Sequence, residues 1–151
     1  MIQHKQTIFL LLAIVFAVVC LCMPIGSIEP KGMGLQSMIW NFGLVVPNQG
    51  MNFSHWLLFA LLVITIPMEI FAIFQYRNRR VQANICLWSM LFCLVWYIYY
   101  GFVAFSYTQH GGTYHVQFAV CLPLLSFVSL ILARQGIIKD EKLVKSADRI
   151  R

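Results

Sequence analysis

Charged residues are scarce in this sequence: only 11% of its residues are Asp, Glu, Lys or Arg, against roughly a quarter in soluble domains. Apolar side chains make up 60% of the chain, and long stretches contain no charge at all. Such stretches are typical of proteins whose solvent is lipid. The composition therefore excludes an ordinary water-soluble globule and predicts a single membrane domain over residues 1–151.

Acidic residues are especially few, and eleven basic residues against five acidic ones give a formal charge of +6. Ten of the basic residues lie before the first apolar run, between the second and third runs, or after the fourth; Lys31 is the exception. This distribution follows the positive-inside rule for membrane proteins. The surplus charge is therefore a topology signal, and we expect no nucleic-acid partner.

The sequence also lacks the motifs of membrane redox enzymes. It has no Cys-x-x-Cys, since one residue separates Cys20 from Cys22, and no predicted outer loop holds a cysteine, which disfavours disulfide exchange. No predicted span has a histidine near its middle, which disfavours haem. His55, His110 and His115 fall at the outer ends of spans, where a hydrated imidazole needs no ligand. A redox or metal protein is the weakest alternative, and we expect no cofactor and no metal.

Four apolar runs, each near the ~20 residues that cross hydrocarbon, predict four transmembrane helices. We place them at about residues 7–23, 54–76, 81–107 and 113–133. Four spans return the chain to its starting side, and positive-inside counting puts both termini in the cytoplasm. We therefore expect an all-α membrane protein built as a four-helix transmembrane bundle.

The segment 24–53, between the first two spans, is the longest predicted outer loop. Its residues 35–46 are rich in β-branched and aromatic side chains and are bounded by Gly34 and Pro47, a composition that favours short strands. An exposed apolar loop would be a liability. We expect a small antiparallel sheet that packs over the outer mouth of the bundle.

Glu69 is the only charged residue inside a predicted span, about 10 Å from the inner end at Tyr76 by helical rise. A carboxyl group inside a membrane is costly and is by default a functional hypothesis. It predicts a site for a proton, a lipid or a small molecule beside the kink expected at Pro67. The alternative is a structural group, neutralised by protonation or paired with Lys5 or Arg134.

The C-terminal tail, residues 134–151, predicts a cytoplasmic amphipathic helix, because its apolar residues recur at three- and four-residue spacing beside mixed charges. Such a helix can lie on anionic headgroups. Its interspersed acidic residues favour docking to a cytoplasmic or membrane protein instead, since headgroups do not require them. The candidate partner-binding residues are Arg134, Lys139, Asp140, Glu141, Ser146, Asp148, Arg149 and Arg151.

Both ends of the chain resemble one bacterial family. The opening reads MIQHKQTI ahead of an apolar run, and residues 139–151 read KDEKLVKSADRIR. These segments and the spacing of the four runs are similar to the bacterial domain-of-unknown-function family 4293. The resemblance implies a small four-span protein of the bacterial inner membrane and implies no activity. In layout alone the chain is also similar to claudin-like tetraspans, without their paired loop cysteines.

Two functional hypotheses of different classes follow. The first is a non-enzymatic accessory subunit of unknown biochemical activity that engages a partner through its tail. The second is a proton-, lipid- or small-molecule-binding membrane protein that uses Glu69. The expected partners are the lipid bilayer and a membrane or cytoplasmic protein, with a second copy of the chain as a further alternative.

Overall fold

The computed structural model describes residues 3–30, 34–47, 50–109 and 113–148. It is mostly helical, with a small antiparallel sheet at one end. The helices in this part of the chain are α1 (Gln3–Cys22), α2 (Trp56–Phe74), α3 (Arg79–Gln109) and α4 (Leu122–Asp148). A short 3₁₀ turn, Phe118–Cys121, leads into α4.

The sheet has five strands in the order β4-β3-β2-β1-β5, and every neighbouring pair is antiparallel. The strands are β1 (Gly26–Glu29), β2 (Ser37–Trp40), β3 (Gly43–Val46), β4 (Gly50–Asn52) and β5 (Thr113–Val116). The first four come from the segment between α1 and α2, which confirms the predicted small antiparallel sheet. A side chain at Gly43 would collide with the backbone carbonyl of Asn52, so the β3–β4 pair requires glycine there.

The fifth strand corrects the predicted start of the last span. Residues 113–116 were expected to begin a helix at 113, but they pair with β1, and α4 begins at Leu122. Pro123 stands in the first turn of α4, where the missing N–H of proline costs no helical hydrogen bond. The tail is also not a separate helix, because α4 continues without a break to Asp148.

The helices pack in a ring in which each main contact joins neighbours: α1 with α4, α4 with α3, α3 with α2, and α2 with α1. We call the end that carries the sheet the sheet end. The opposite end, which carries the turn at residues 75–78 between α2 and α3, is the turn end. Within the described residues, three helical segments are long and apolar enough to cross a membrane: Trp56–Phe74, Arg79–Gln109 and Phe118–Ser146.

Two separate apolar clusters form the core. The sheet-end cluster includes Ile25 and Ile39 from the sheet segment together with Leu58, Leu62 and Trp96 from the helices. The expected packing of the loop over the bundle is therefore present. The turn-end cluster is made mainly of small and aliphatic side chains: Leu10, Ala13, Ala72, Ala83, Cys86, Leu130, Ala133 and Ile137.

Candidate functional site

A layer of buried polar side chains separates the two apolar clusters. Along α2, α3 and α4, polar positions lie between residues of the sheet-end cluster and residues of the turn-end cluster. The polar layer consists of Thr65, Glu69, Ser89, Ser126 and Ser129. Polar groups deep inside a bundle are costly unless they are hydrogen-bonded, so the bonding state of each is informative.

Three hydroxyl groups of the polar layer are used by the backbone. Thr65 Oγ1 donates to Leu62 O (2.7 Å), Ser126 Oγ to Ala13 O (3.1 Å) and Ser129 Oγ to Leu125 O (2.8 Å). The first and third bonds stay within one helix, whereas the second joins α4 to α1. None of the three donates its proton to Glu69.

Glu69 and Ser89 are the unsatisfied members of the layer. Glu69 is 1% exposed, and neither of its carboxyl oxygens has a hydrogen-bond partner among the described residues. Ser89 is fully buried, and its Oγ likewise lacks a partner within that part of the chain. Glu69 interacts electrostatically with Cys86 and Cys93, which flank Ser89 at helical spacing on α3. The carboxyl group therefore lies within electrostatic range of the α3 face that carries Ser89.

Arg134, on α4, is one of the two residues predicted to pair with Glu69. Its Nε is buried and has no hydrogen-bond partner among the described groups, and its charge acts on the same Cys86. Nevertheless, the side chains that the structure describes include no ion pair between Glu69 and Arg134. The side chain of Lys5, the other predicted partner, lies outside the described set. Glu69 and Arg134 thus both lie within electrostatic range of Cys86 without forming an ion pair with each other.

The tail packs against the body of its own chain. Asp140 is 5% exposed and accepts a hydrogen bond from Nε2 of Gln6 on α1. Gly136 eases this approach, since a Cβ there would lie 3.1 Å from Cγ of Gln6, a tight contact. Asp140, predicted to bind a partner, therefore already has one within the chain.

Glu141, the next predicted partner-binding residue, is also engaged. Its Oε1 accepts from Arg80 Nε at 2.8 Å and pairs with Lys145 Nζ at 2.7 Å. Ser146 donates to the backbone carbonyl of Leu143, whereas Lys139 is exposed. The side chain of Asp148 and all of Arg149 and Arg151 lie outside the described residues.

A second polar network ties the sheet to the helices. Asn41, in the turn between β2 and β3, is fully buried; its Nδ2 donates to Cys20 O (2.7 Å), and its Oδ1 accepts from Trp96 Nε1 (3.2 Å). The Trp96 ring stacks on Tyr100 at a centroid distance of 5.3 Å. Tyr100 in turn accepts a hydrogen bond from the Tyr114 hydroxyl at 2.8 Å. These contacts close the sheet end of the bundle.

The sheet-end histidines have separate partners. His55 Nε2 lies 2.7 Å from the Tyr107 hydroxyl, and burial lowers the pKa of His55. His115 Nε2 lies 3.4 Å from Glu29 Oε2. His110 lies outside the described residues. Within the described ranges, no three His, Cys, Asp or Glu side chains are grouped so that they could hold a metal ion, and all five cysteines are free.

Comparison with known proteins identifies the family but no activity. The family described as "Domain of unknown function (DUF4293)" matches residues 2–150, nearly the whole chain. A search of curated proteins finds no match. The resemblance visible at the two ends of the sequence is thus confirmed over its full length: the chain belongs to the DUF4293 family.

Proposed function

We propose that this protein is a bacterial inner-membrane protein in which all four helices cross the bilayer, with both termini in the cytoplasm, and that Glu69 is a proton-binding site inside the bundle. Three helices have the required length and hydropathy. The sheet end then faces outward, and the turn end, which carries most of the basic residues, faces the cytoplasm.

Helix α1 has the shortest apolar part of the four helices: Gln6–Cys22 is shorter than the candidate spans of α2, α3 and α4. At about 1.5 Å per residue it spans roughly 25 Å, a little less than the ~30 Å hydrocarbon core. It packs beside α2 and α4 in the ring, and it exposes Ile8, Leu11 and Val15, each by half or more of its surface. Lipid around α1 would cover these side chains, and modest thinning of the bilayer offsets the short length.

One observation carries the proton site: the Glu69 carboxyl group is 1% exposed, and both its oxygens are without hydrogen-bond partners among the described residues. An ionised carboxylate in such surroundings requires a compensating cation. Metal ions and alkali cations prefer several oxygen ligands, whereas Glu69 is the only acidic side chain of the polar layer. A proton is the cation that a single carboxyl group can bind alone.

Arg134 is the candidate counter-charge for Glu69 in such a site. Its buried Nε is unpaired among the described groups, and its charge is within electrostatic range of the same Cys86 as Glu69. We therefore propose that Arg134 stabilises the carboxylate once the proton leaves. The site would then alternate between a protonated Glu69 and a Glu69–Arg134 pair. A change of spacing between α2 and α4 would accompany the exchange.

Infrared spectroscopy of the full-length protein in liposomes tests the proton site. We expect a protonated-carboxyl C=O band that shifts in D₂O, is lost in Glu69→Gln and is retained in the control Glu29→Gln. Glu29 is a suitable control because its side chain is 56% exposed and pairs with His115. Absence of the band from the wild type across its stable pH range, or its survival in Glu69→Gln, would contradict the proposal.

A second candidate function is partner binding through the tail, and exposed Leu143 favours it. This side chain is 51% exposed near the end of α4, close to exposed Lys139 and Lys142. A partner would meet this apolar and basic surface rather than Asp140 and Glu141, which are bonded within the chain. The revised surface is smaller than the one that the sequence predicted.

Affinity purification from native membranes tests this second candidate with one substitution. A true tail partner is expected to co-purify with the wild type, to be lost from Leu143→Glu, and to be retained by Leu35→Glu. Leu35 is 67% exposed in the sheet segment and provides the matched control. The same co-purifying proteins from all three forms would count against the tail.

A further inference from the structure

A groove of about 810 Å³ opens at the turn end of the bundle. The turn between α2 and α3 forms one side, and the last turns of α4 form the other. Four basic residues, Arg77, Arg79, Arg80 and Lys145, line it together with a single acidic residue, Glu141. The lining therefore carries a net charge of four minus one, or +3.

The acidic residue does not neutralise the whole groove. Glu141 is held by Arg80 and Lys145, whereas Arg77 and Arg79 have no carboxylate within ion-pair distance among the described side chains. Helix α3 begins at Arg79, so the positive end of its dipole adds to the same region. Excess positive charge at one point of a concave surface favours an anionic ligand.

The remaining walls of the groove are apolar and exposed. Tyr76, Val81 and Val144 line it and are 60%, 41% and 47% exposed. Phe74, the last residue of α2 and two positions before Tyr76, is 74% exposed. A lining that combines basic and apolar side chains suits a ligand with a negatively charged head and a hydrocarbon tail.

We infer that this groove binds an anionic glycerophospholipid of the adjacent leaflet. Arg77 and Arg79 contact the phosphate group, since guanidinium groups match phosphate oxygens in bidentate geometry. An acyl chain lies along Val81 and Phe74. Basic pockets at helix ends are a common way of holding such headgroups. The inference requires helices in a bilayer and is independent of Glu69, so the two proposals can fail separately.

Native mass spectrometry of the full-length protein tests the basic residues. Protein is equilibrated with phosphatidylglycerol or phosphatidylcholine, and the lipid that remains bound is measured. We expect preferential retention of phosphatidylglycerol, weakened about tenfold or more in Arg77→Gln/Arg79→Gln. The control Lys139→Gln/Lys142→Gln removes the same charge from exposed positions outside the groove and is expected to retain the lipid.

A second pair of variants leaves every arginine in place, in case the double variant misfolds. Val144→Glu puts a carboxylate into the groove, whereas Leu143→Glu puts the same charge on the adjacent residue, which does not line it. Both side chains are about half exposed, so neither substitution disturbs the core. We expect loss of phosphatidylglycerol from Val144→Glu alone.

Three results would overturn the inference. The first is equal loss of lipid from a groove variant and its control, which would mean diffuse attraction to a basic surface. The second is equal retention of phosphatidylcholine and phosphatidylglycerol. The third is displacement of the bound lipid by millimolar inorganic phosphate, which would indicate a site for a free anion.

Discussion

Asn41 is the residue on which the attachment of the sheet to the helices most depends. It is fully buried, and it bonds at once to the end of α1 through Cys20 O and to α3 through Trp96 Nε1. No other side chain among the described residues makes both of these connections. Removing the amide would leave the indole N–H of Trp96 buried without a partner, and Cys20 O with only the 3.4 Å bond from Met23 N.

We predict that Asn41→Ala lowers the free energy of unfolding by about 1 to 3 kcal/mol, because a buried N–H left without a partner costs roughly that much. Thermal unfolding in detergent, followed by tryptophan fluorescence, provides the measurement. Asn52→Ala, in exposed β4, is the control and is expected to change little. Equal melting of the two variants would show that the Asn41 bonds contribute no net stability.

A site residue can be predicted from the sequence when its polarity differs sharply from that of its neighbours along the chain. Glu69 stands out because it is a carboxyl group within an apolar run, and the structure places it in a buried polar layer. Ser89 and Asn41 give no such signal, since serine in an apolar helix and asparagine in a turn are ordinary. Their burial follows from contacts between distant segments.

The acidic residues of the tail show the same limit of sequence-based prediction. Their alternation with basic residues suggested a surface for a partner, yet Asp140 bonds to Gln6, 134 positions earlier in the chain. Glu141 bonds to Arg80 across another helix. A pattern of charges in the sequence indicates that the charged side chains need partners. It does not indicate which segment of the chain provides those partners.

At the scale of elements, the helices and the sheet were predictable because their compositions differ sharply. The strand β5 was not, because its residues 113–116 lead directly into an apolar run and its stability comes from pairing with β1, more than 80 residues away. The tail was predicted as a separate helix, whereas α4 passes through residue 134 without a break. Gly136 remains helical and allows α1 to approach.

The length of α3 links the two ends of the molecule. Its 31 residues extend about 46 Å at 1.5 Å per residue, well beyond a ~30 Å hydrocarbon core. The surplus at the sheet end carries Tyr100 and Tyr107, which bond to the sheet and to His55. The surplus at the turn end carries Arg79 and Arg80. One long helix thus connects the closed sheet end to the basic groove.

At the scale of the whole molecule, the two ends differ in chemistry, and this difference bears on orientation. The sheet end is closed by aromatic and amide hydrogen bonds, whereas the turn end carries the arginines and the tail. Within the bundle, α1 runs between these ends, with Gln6 bonded to Asp140 of the tail and Cys20 bonded to Asn41 beside the sheet. The side of the membrane on which the N-terminus lies tests whether α1 also crosses the bilayer. If it crosses, the N-terminus lies on the same side as Asn78; if it does not, the N-terminus lies on the side of Ser54.

Cysteine labelling distinguishes these two arrangements. A suitable background replaces only exposed Cys22 and Cys121 by Ser and keeps the three buried cysteines, which a polar maleimide cannot reach. Single cysteines are then introduced at Ser54, at Asn78 or in a tag before Met1, the first two being exposed positions.

We predict that a membrane-impermeant maleimide labels Ser54→Cys in intact spheroplasts. Asn78→Cys and the tag cysteine should react only after the membrane is permeabilised. A tag that reacts like Ser54→Cys would mean that α1 lies on the outer surface and that only three helices cross. Reaction of Asn78→Cys in intact spheroplasts would contradict the proposed cytoplasmic position of the turn end, and with it the leaflet from which the groove takes its lipid.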